Sequence, residues 1–132
     1  VIEITEHAPV ADYDQLNAVL RPLRSDGIRV AVDDAGSGYA SFRHILDLAP
    51  DFIKLDLSLT HGIDHDPRRQ ALAAALIAFA ESGGATVVGE GIETHGELTS
   101  LTELKVTLGQ GYLLGRPEVA RWPWPAPPRW PQ

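Results

Sequence analysis

The chain has no cysteine, which excludes a disulfide framework, thiolate catalysis and any cysteine-ligated zinc site. It has no methionine either, so Val1 is not an initiator and the 132 residues read as a segment cut or processed from something longer. Base is scarce: 11 Lys and Arg stand against 18 Asp and Glu, a net charge of −7. A phosphate-backbone binder needs the reverse, so nucleic-acid polymers are not expected partners. No apolar run approaches the roughly 20 residues that cross a bilayer. No basic segment followed by an apolar stretch marks a signal peptide. These absences point to a soluble, cytoplasmic piece whose parent protein is free to be membrane-anchored. Hydrophobic residues make up 44% of the chain, enough to build the core of one domain at this length.

The pattern alternates strand and helix. Val1–Thr5 is short and β-branched, a strand by composition. Leu16, Val19, Leu20 and Leu23 fall on one helical face, with Pro22 expected to kink or shorten the last turn. Ile28–Asp33 is again strand-like, and Gly36 and Gly38 mark a loop. Phe42, Ile45 and Leu46 repeat at helical spacing, and Asp51–Asp56 forms a third strand. Pro67 suits the first turn of a helix whose stripe is Leu72, Ala75, Leu76 and Phe79, stopped by Gly83-Gly84. Ala85–Gly89 is a fourth strand. Thr94 to Glu97 fits a capping box, with Leu98, Leu101 and Leu104 inward behind it. Val106–Tyr112 is a fifth strand. Such β-then-α units imply a parallel sheet covered by helices. Two architectures fit: an open doubly wound sheet, or part of a (β/α)8 barrel, since a whole barrel needs around 250 residues.

Polar residues recur where the apolar runs end: Glu3 and Glu6, Asp33-Asp34, Lys54 and Asp56, Glu90 and Glu93, then Gln110. In parallel α/β folds the strand C-termini form the active face. Glu3, Asp33, Asp34, Glu90 and Glu93 would then crowd five carboxylates around one mouth, more than a lone Lys54 offsets. Divalent cations would balance them, and all-oxygen ligands favour Mg²⁺, Mn²⁺ or Ca²⁺ over zinc. Adjacent aspartates suit a metal pair about 3.5–4 Å apart, an arrangement that attacks phosphodiesters. Taken singly, an Asp at a strand end is more often a helix cap or a surface charge. His61 and His65 share a helical metal-binding spacing, but Asp64, Asp66 and Pro67 beside them favour a solvated loop.

Five motifs in order resemble the later motifs of the EAL domain: Glu3-Ile4-Thr5-Glu6, Asp33-Asp34-Ala35-Gly36-Ser37-Gly38-Tyr39, Ile53-Lys54-Leu55-Asp56, Val88-Gly89-Glu90-Gly91-Ile92-Glu93, and Gln110 to Pro117. That family comprises bacterial phosphodiesterases that linearise cyclic di-GMP on a modified TIM barrel. The resemblance implies an incomplete (β/α)8 barrel over residues 1–118, with a Pro- and Trp-rich tail over 119–132. It implies a two-metal site using Mg²⁺ or Mn²⁺, with Glu3 and Asp33 on the first ion and Asp33 bridging to the second. Asp34 lies beside it and Glu90 near the second metal or its water. Lys54 would hold the attacking water and phosphate. Glu90, Lys54 and Asp34 are thus the implied catalytic residues. Glu93 and Gln110 complete the shell, and Glu6 anchors the loop after the paired aspartates. The implied reaction is in-line attack by a metal-bound hydroxide on one phosphodiester, giving linear pGpG. Implied partners are cyclic di-GMP, a second copy of the chain, and upstream sensory or GGDEF-type domains.

The departures are as definite. The Glu-Ala-Leu strand, the basic residue after it and a metal-ligating Asn on the next strand precede the family's part matched here. Ala35 stands where the family usually has Phe, Ser37 replaces Thr, and Thr107 replaces an acidic residue. The expectation is that this chain alone is inactive. The alternatives are a degenerate domain that binds nucleotide without turnover, or an interaction module that pairs its open edge. The Pro125 to Pro128 run is either polyproline II or unstructured tail.

Overall fold

The computed structural model describes residues 1–5, 10–35 and 39–117, with the side chains of 39–41 left aside. Glu6, the glycine loop at 36–38 and the tail at 119–132 therefore lie outside the described residues. Five strands alternate with helices: β1 (Ile2–Ile4), α1 (Tyr13–Ser25), β2 (Val30–Ala35), α2 (Tyr39–Leu48), β3 (Phe52–Leu55), α3 (Leu57–Thr60), α4 (Pro67–Ser82), β4 (Thr86–Gly89), α5 (His95–Glu103) and β5 (Leu108–Gly109). A 3₁₀ turn, Ile63–His65, links α3 to α4.

The sheet order is β1-β2-β3-β4-β5 and every pairing is parallel. A doubly wound sheet reverses its strand order at a switch point. This one never does, which leaves consecutive units of a (β/α)8 barrel. The pleat divides each strand between two faces. Ile4, Val32, Ile53 and Val87 lie in one register row and Ala35, Leu55 and Gly89 in another. Val32, Ala35, Ile53, Leu55 and Val87 pack with Ile45, Leu59, Ile63, Leu76 and Leu101 of the helices and turns in the main core. Val30 packs with Leu20 and Leu48 in a second cluster. The opposite face carries Glu3 in one row with Ala31, Phe52 and Thr86, and Lys54 beside Val88.

Several elements depart from their sequence expectation. Pro22 neither ends nor shortens α1, which runs on to Ser25. Asp12 caps its start, accepting from the Gln15 N–H at 2.9 Å. Val19 faces solvent rather than the core. In α4 the buried stripe is Ala73, Leu76, Ile77 and Ala80, while Leu72 and Phe79 are exposed. That helix is apolar nearly all round, so spacing alone did not select a face. The fifth strand is only Leu108–Gly109, because the ladder to β4 ends at the Gly89–Gly109 pair. The capping box at Thr94 is formed as expected, and Pro67 opens α4.

Candidate active site

The paired aspartates share one rim because β2 bulges between them. Val32 pairs with Ile53 and Ala35 with Leu55, so Asp33 and Asp34 together oppose Lys54. In a regular strand two adjacent side chains point to opposite faces. Here Asp34 takes φ +58°, a left-handed conformation rare outside glycine. A bulge of this kind re-aims side chains at a sheet's rim. One carboxylate oxygen each from Asp33, Asp34 and Glu90 falls within 4.8 Å of the others.

Lys54 stands inside this group. Its Nζ lies 3.3 Å from Glu3 Oε1, 3.0 Å from Asp33 Oδ1 and 2.9 Å from Glu90 Oε1. Its side chain is only 10% exposed. Burial alone would favour the neutral amine, but hydrogen bonds and charge from Glu90 and Asp33 outweigh it and push the lysine pKa up. Glu90 is shifted upward as well. Burial and the neighbouring Asp33 charge raise it by more than Lys54 lowers it. Four carboxylates against one ammonium leave a deficit of positive charge. The donors are all oxygen, so the set fits hard dications such as Mg²⁺, Mn²⁺ or Ca²⁺.

Glu90 is held on a short arch. Gly89 ends β4, and three residues on Ile92 is buried, 1% exposed. Ile92 donates its N–H to the Gln110 carbonyl at 3.1 Å and accepts from the Leu113 N–H at 3.0 Å. Its Cδ1 fills the space beside Gly89 and Gly109, where added Cβ atoms would stand 3.6 and 2.7 Å from it. Gly91, at φ +63°, passes under Leu57, whose Cδ1 leaves no room for a side chain there. The Gln110 amide donates to Glu90 Oε1 from the end of β5.

The structure thus brings together Glu3, Asp33, Asp34, Lys54, Glu90 and Gln110. Glu93 stands apart from the carboxylate group: it is exposed and lines a neighbouring recess with Asp56, Ser58, His61 and Arg69. Asp56 caps α3, accepting from the Ser58 N–H at 2.9 Å. His61 and His65 do not share a site; His61 lies 3.4 Å from Glu97 and His65 3.2 Å from Asp64. A catalytic role for Lys54 came from the family resemblance; spacing by itself missed the bulge and the residue's central place, counting it as an insufficient charge. The signal for the latter was available, since Lys54 sits between two core positions, Ile53 and Leu55, and must face the other way.

The EAL domain family profile matches residues 1–117. A Pseudomonas aeruginosa protein described as cyclic di-GMP phosphodiesterase PA2567 is 38% identical over 116 residues, covering 88% of this chain and 20% of its own length. The chain therefore spans about a fifth of that relative. The crystal structure of the EAL domain of Mycobacterium smegmatis DcpA superposes with a TM-score of 0.82 at 33% identity, over 87% of this chain and 52% of the other. Klebsiella pneumoniae BlrP1, solved as a manganese and cyclic di-GMP complex, gives 0.77 at 38% identity over 85% of this chain and 29% of its own. The parallel sheet, the rim of carboxylates around Lys54 and these matches lead to one assignment: the chain belongs to the EAL domain family.

Proposed function

We propose that this chain carries the later part of a metal-dependent phosphodiesterase site that opens cyclic di-GMP to linear pGpG. One observation carries the reading: Glu3, Asp33 and Glu90, from three separate strand units, meet on Lys54 within 3.3 Å, with Asp34 turned to the same rim. Glu3, Asp33, Asp34 and Glu90 would hold Mg²⁺ or Mn²⁺. When bound, such ions supply charge neutralisation at phosphoryl oxygens and a more acidic water. Lys54, kept charged by its neighbours, offers N–H donors to a phosphate oxygen or to the attacking water. Glu90, steadied by Gln110, would take the water's proton as the new P–O bond forms and one ring P–O ester bond breaks, and the freed ribose oxygen takes up a proton from solvent to end as a hydroxyl. Glu93 and Glu6 are proposed as outer supports.

The chain by itself is proposed to be inactive. The family's Glu-Ala-Leu strand and its ligating Asn are absent, and among the described residues β1 pairs only with β2. The same reading proposes a cytoplasmic site, a second copy as partner, and a parent joining it to sensory or GGDEF-type units. The bifunctional diguanylate cyclase/phosphodiesterase MucR, 32% identical over 91% of this chain, supports that last point.

The test joins this chain to the preceding β/α units of the PA2567 EAL domain and follows pGpG by chromatography with manganese or magnesium. The joined protein is expected to release pGpG, the chain alone none. Glu90→Gln should lower kcat by about 10²–10⁴-fold, the usual worth of a placed base. A joined protein that binds both manganese and cyclic di-GMP by calorimetry, yet forms no product, would replace this reading with a binding domain that lacks turnover.

A further inference from the structure

Glu97 is the one buried carboxylate among the described residues, 1% exposed, and it lies outside the acidic rim. Helix capping accounts for half of its contacts. Its Oε2 accepts from the Glu93 N–H at 2.9 Å and the Thr94 N–H at 3.0 Å, closing the capping box of α5. Its other oxygen does something a cap does not require. Oε1 accepts from the Gly62 N–H at 2.9 Å, 35 residues earlier in the chain, and lies 3.4 Å from His61 Nδ1. One carboxylate therefore binds the connection that follows β3, which carries Lys54, and the connection after β4, which begins with Glu90.

Two further contacts join the same segments. A Cβ at Gly96 would stand 2.1 Å from Asp64 Oδ2, so the 3₁₀ turn seats directly on the start of α5. A Cβ at Gly91 would stand 2.1 Å from Leu57 Cδ1. The stretch 57–64 and the stretch 91–97 thus interlock at three points, and each is rooted in a residue of the rim. On the phosphodiesterase reading above, we infer that Glu97 is a positioning residue: by tying these two connections together it fixes the approach of Glu90 to Lys54. It touches neither substrate nor the reacting atoms.

Glutamine distinguishes this from simple capping. A capping box is served by Glu or Gln, because one acceptor oxygen is enough. The Gly62 tether needs the second acceptor, and a glutamine amide presents N–H groups there instead. Glu97→Gln is therefore expected to keep α5 and lose the tether, whereas Thr94→Ala removes the other half of the cap and leaves the tether.

Amide exchange by NMR on the full 132-residue chain reads the tether without any activity. Glu97→Gln should speed exchange at Gly62 by roughly tenfold or more, the scale of a hydrogen bond to a charged acceptor; Thr94→Ala should leave Gly62 protected. In the joined phosphodiesterase, Glu97→Gln should lower kcat roughly ten- to a hundredfold with KM unchanged, and Thr94→Ala should change neither. Gly62 staying protected in Glu97→Gln, or exchanging equally fast in Thr94→Ala, overturns the inference, as does an unchanged kcat once Gly62 is released. Should Glu97→Gln fail to fold, Gly96→Ala takes its place, since alanine favours the helix but displaces Asp64; unchanged exchange across 62–65 would then count as refutation. Absence of turnover in the parent joined protein, with the Gly62 result intact, sinks the phosphodiesterase reading and leaves the tether standing.

Discussion

Replacing Lys54 by methionine keeps its length and removes its charge, leaving Glu3, Asp33 and Glu90 to face one another. Breaking a fully buried pair costs roughly 3–5 kcal/mol. Here Glu3 is half exposed, so a loss of about 2–3 kcal/mol is expected in urea unfolding without divalent ions. Added Mn²⁺ should recover more of that loss in the variant than it adds to the parent chain, because the carboxylates then lack any other cation. Equal Mn²⁺ effects on both would mean that the rim does not depend on Lys54 for charge balance. Much of this rim was legible in the sequence as acids and one lysine at strand ends. The turning of Asp34 was not, because a bulge is a property of two paired strands and neither strand signals it alone. The second contact of Glu97 was hidden for the same reason: its partner Gly62 lies 35 residues away.

Elements written with contrast were the easiest to read. The stripe of α5 and its cap follow directly from Thr94, Glu97, Leu98, Leu101 and Leu104. By contrast α4 has alanines on every side, so small rotations leave the pattern equally apolar, and the buried face fell at Ala73 and Ile77 rather than Leu72 and Phe79. The glycine pair ending the β4–β5 ladder shows how close packing shortens a strand. An added Cβ at Gly89 would come within 2.9 Å of Leu101 Cδ1, and at Gly109 within 2.7 Å of Ile92 Cδ1. Gly109→Ala is therefore expected to destabilise the chain by about 1–3 kcal/mol, the usual cost of overpacking. Urea midpoints measure it. The effect should be partly relieved by Ile92→Val, which frees the space that the new methyl needs, and no relief would show that the two groups do not compete.

For the molecule as a whole, acid sensitivity follows from opposed carboxylates. Burial alone would raise the Glu97 pKa, but the N–H groups of Gly62, Glu93 and Thr94 outweigh it and hold it below the usual value of 4.5. A depressed native pKa gives stability that is complete above that value and is lost as pH falls through the native one. Glu90 is shifted the other way, so rising pH through the carboxylate range costs stability there. Asp66, exposed and held low chiefly by the Arg68 N–H, acts in the same direction as Glu97, so the parent chain should show the sum of these, and Glu97→Gln should lose only the part due to Glu97. Its urea midpoint is then expected to rise less than the parent's as pH climbs through the range below 4.5, and above that value both should fall together as Glu90 ionises. A variant profile parallel to the parent's would remove Glu97 from the account.

The extra residue in β2 also bears on how this protein tolerates change. Because two aspartates there stand opposite one lysine, a point replacement alters one side chain, whereas losing a single codon within 31–35 would restore an even pleat. Where the lost residue is Asp33 or Asp34, Val32 and Ala35 keep their core face and the mouth is left with one acid in place of two. Length at that stretch therefore matters beside the letters, because the residue count sets how many carboxylates face the mouth.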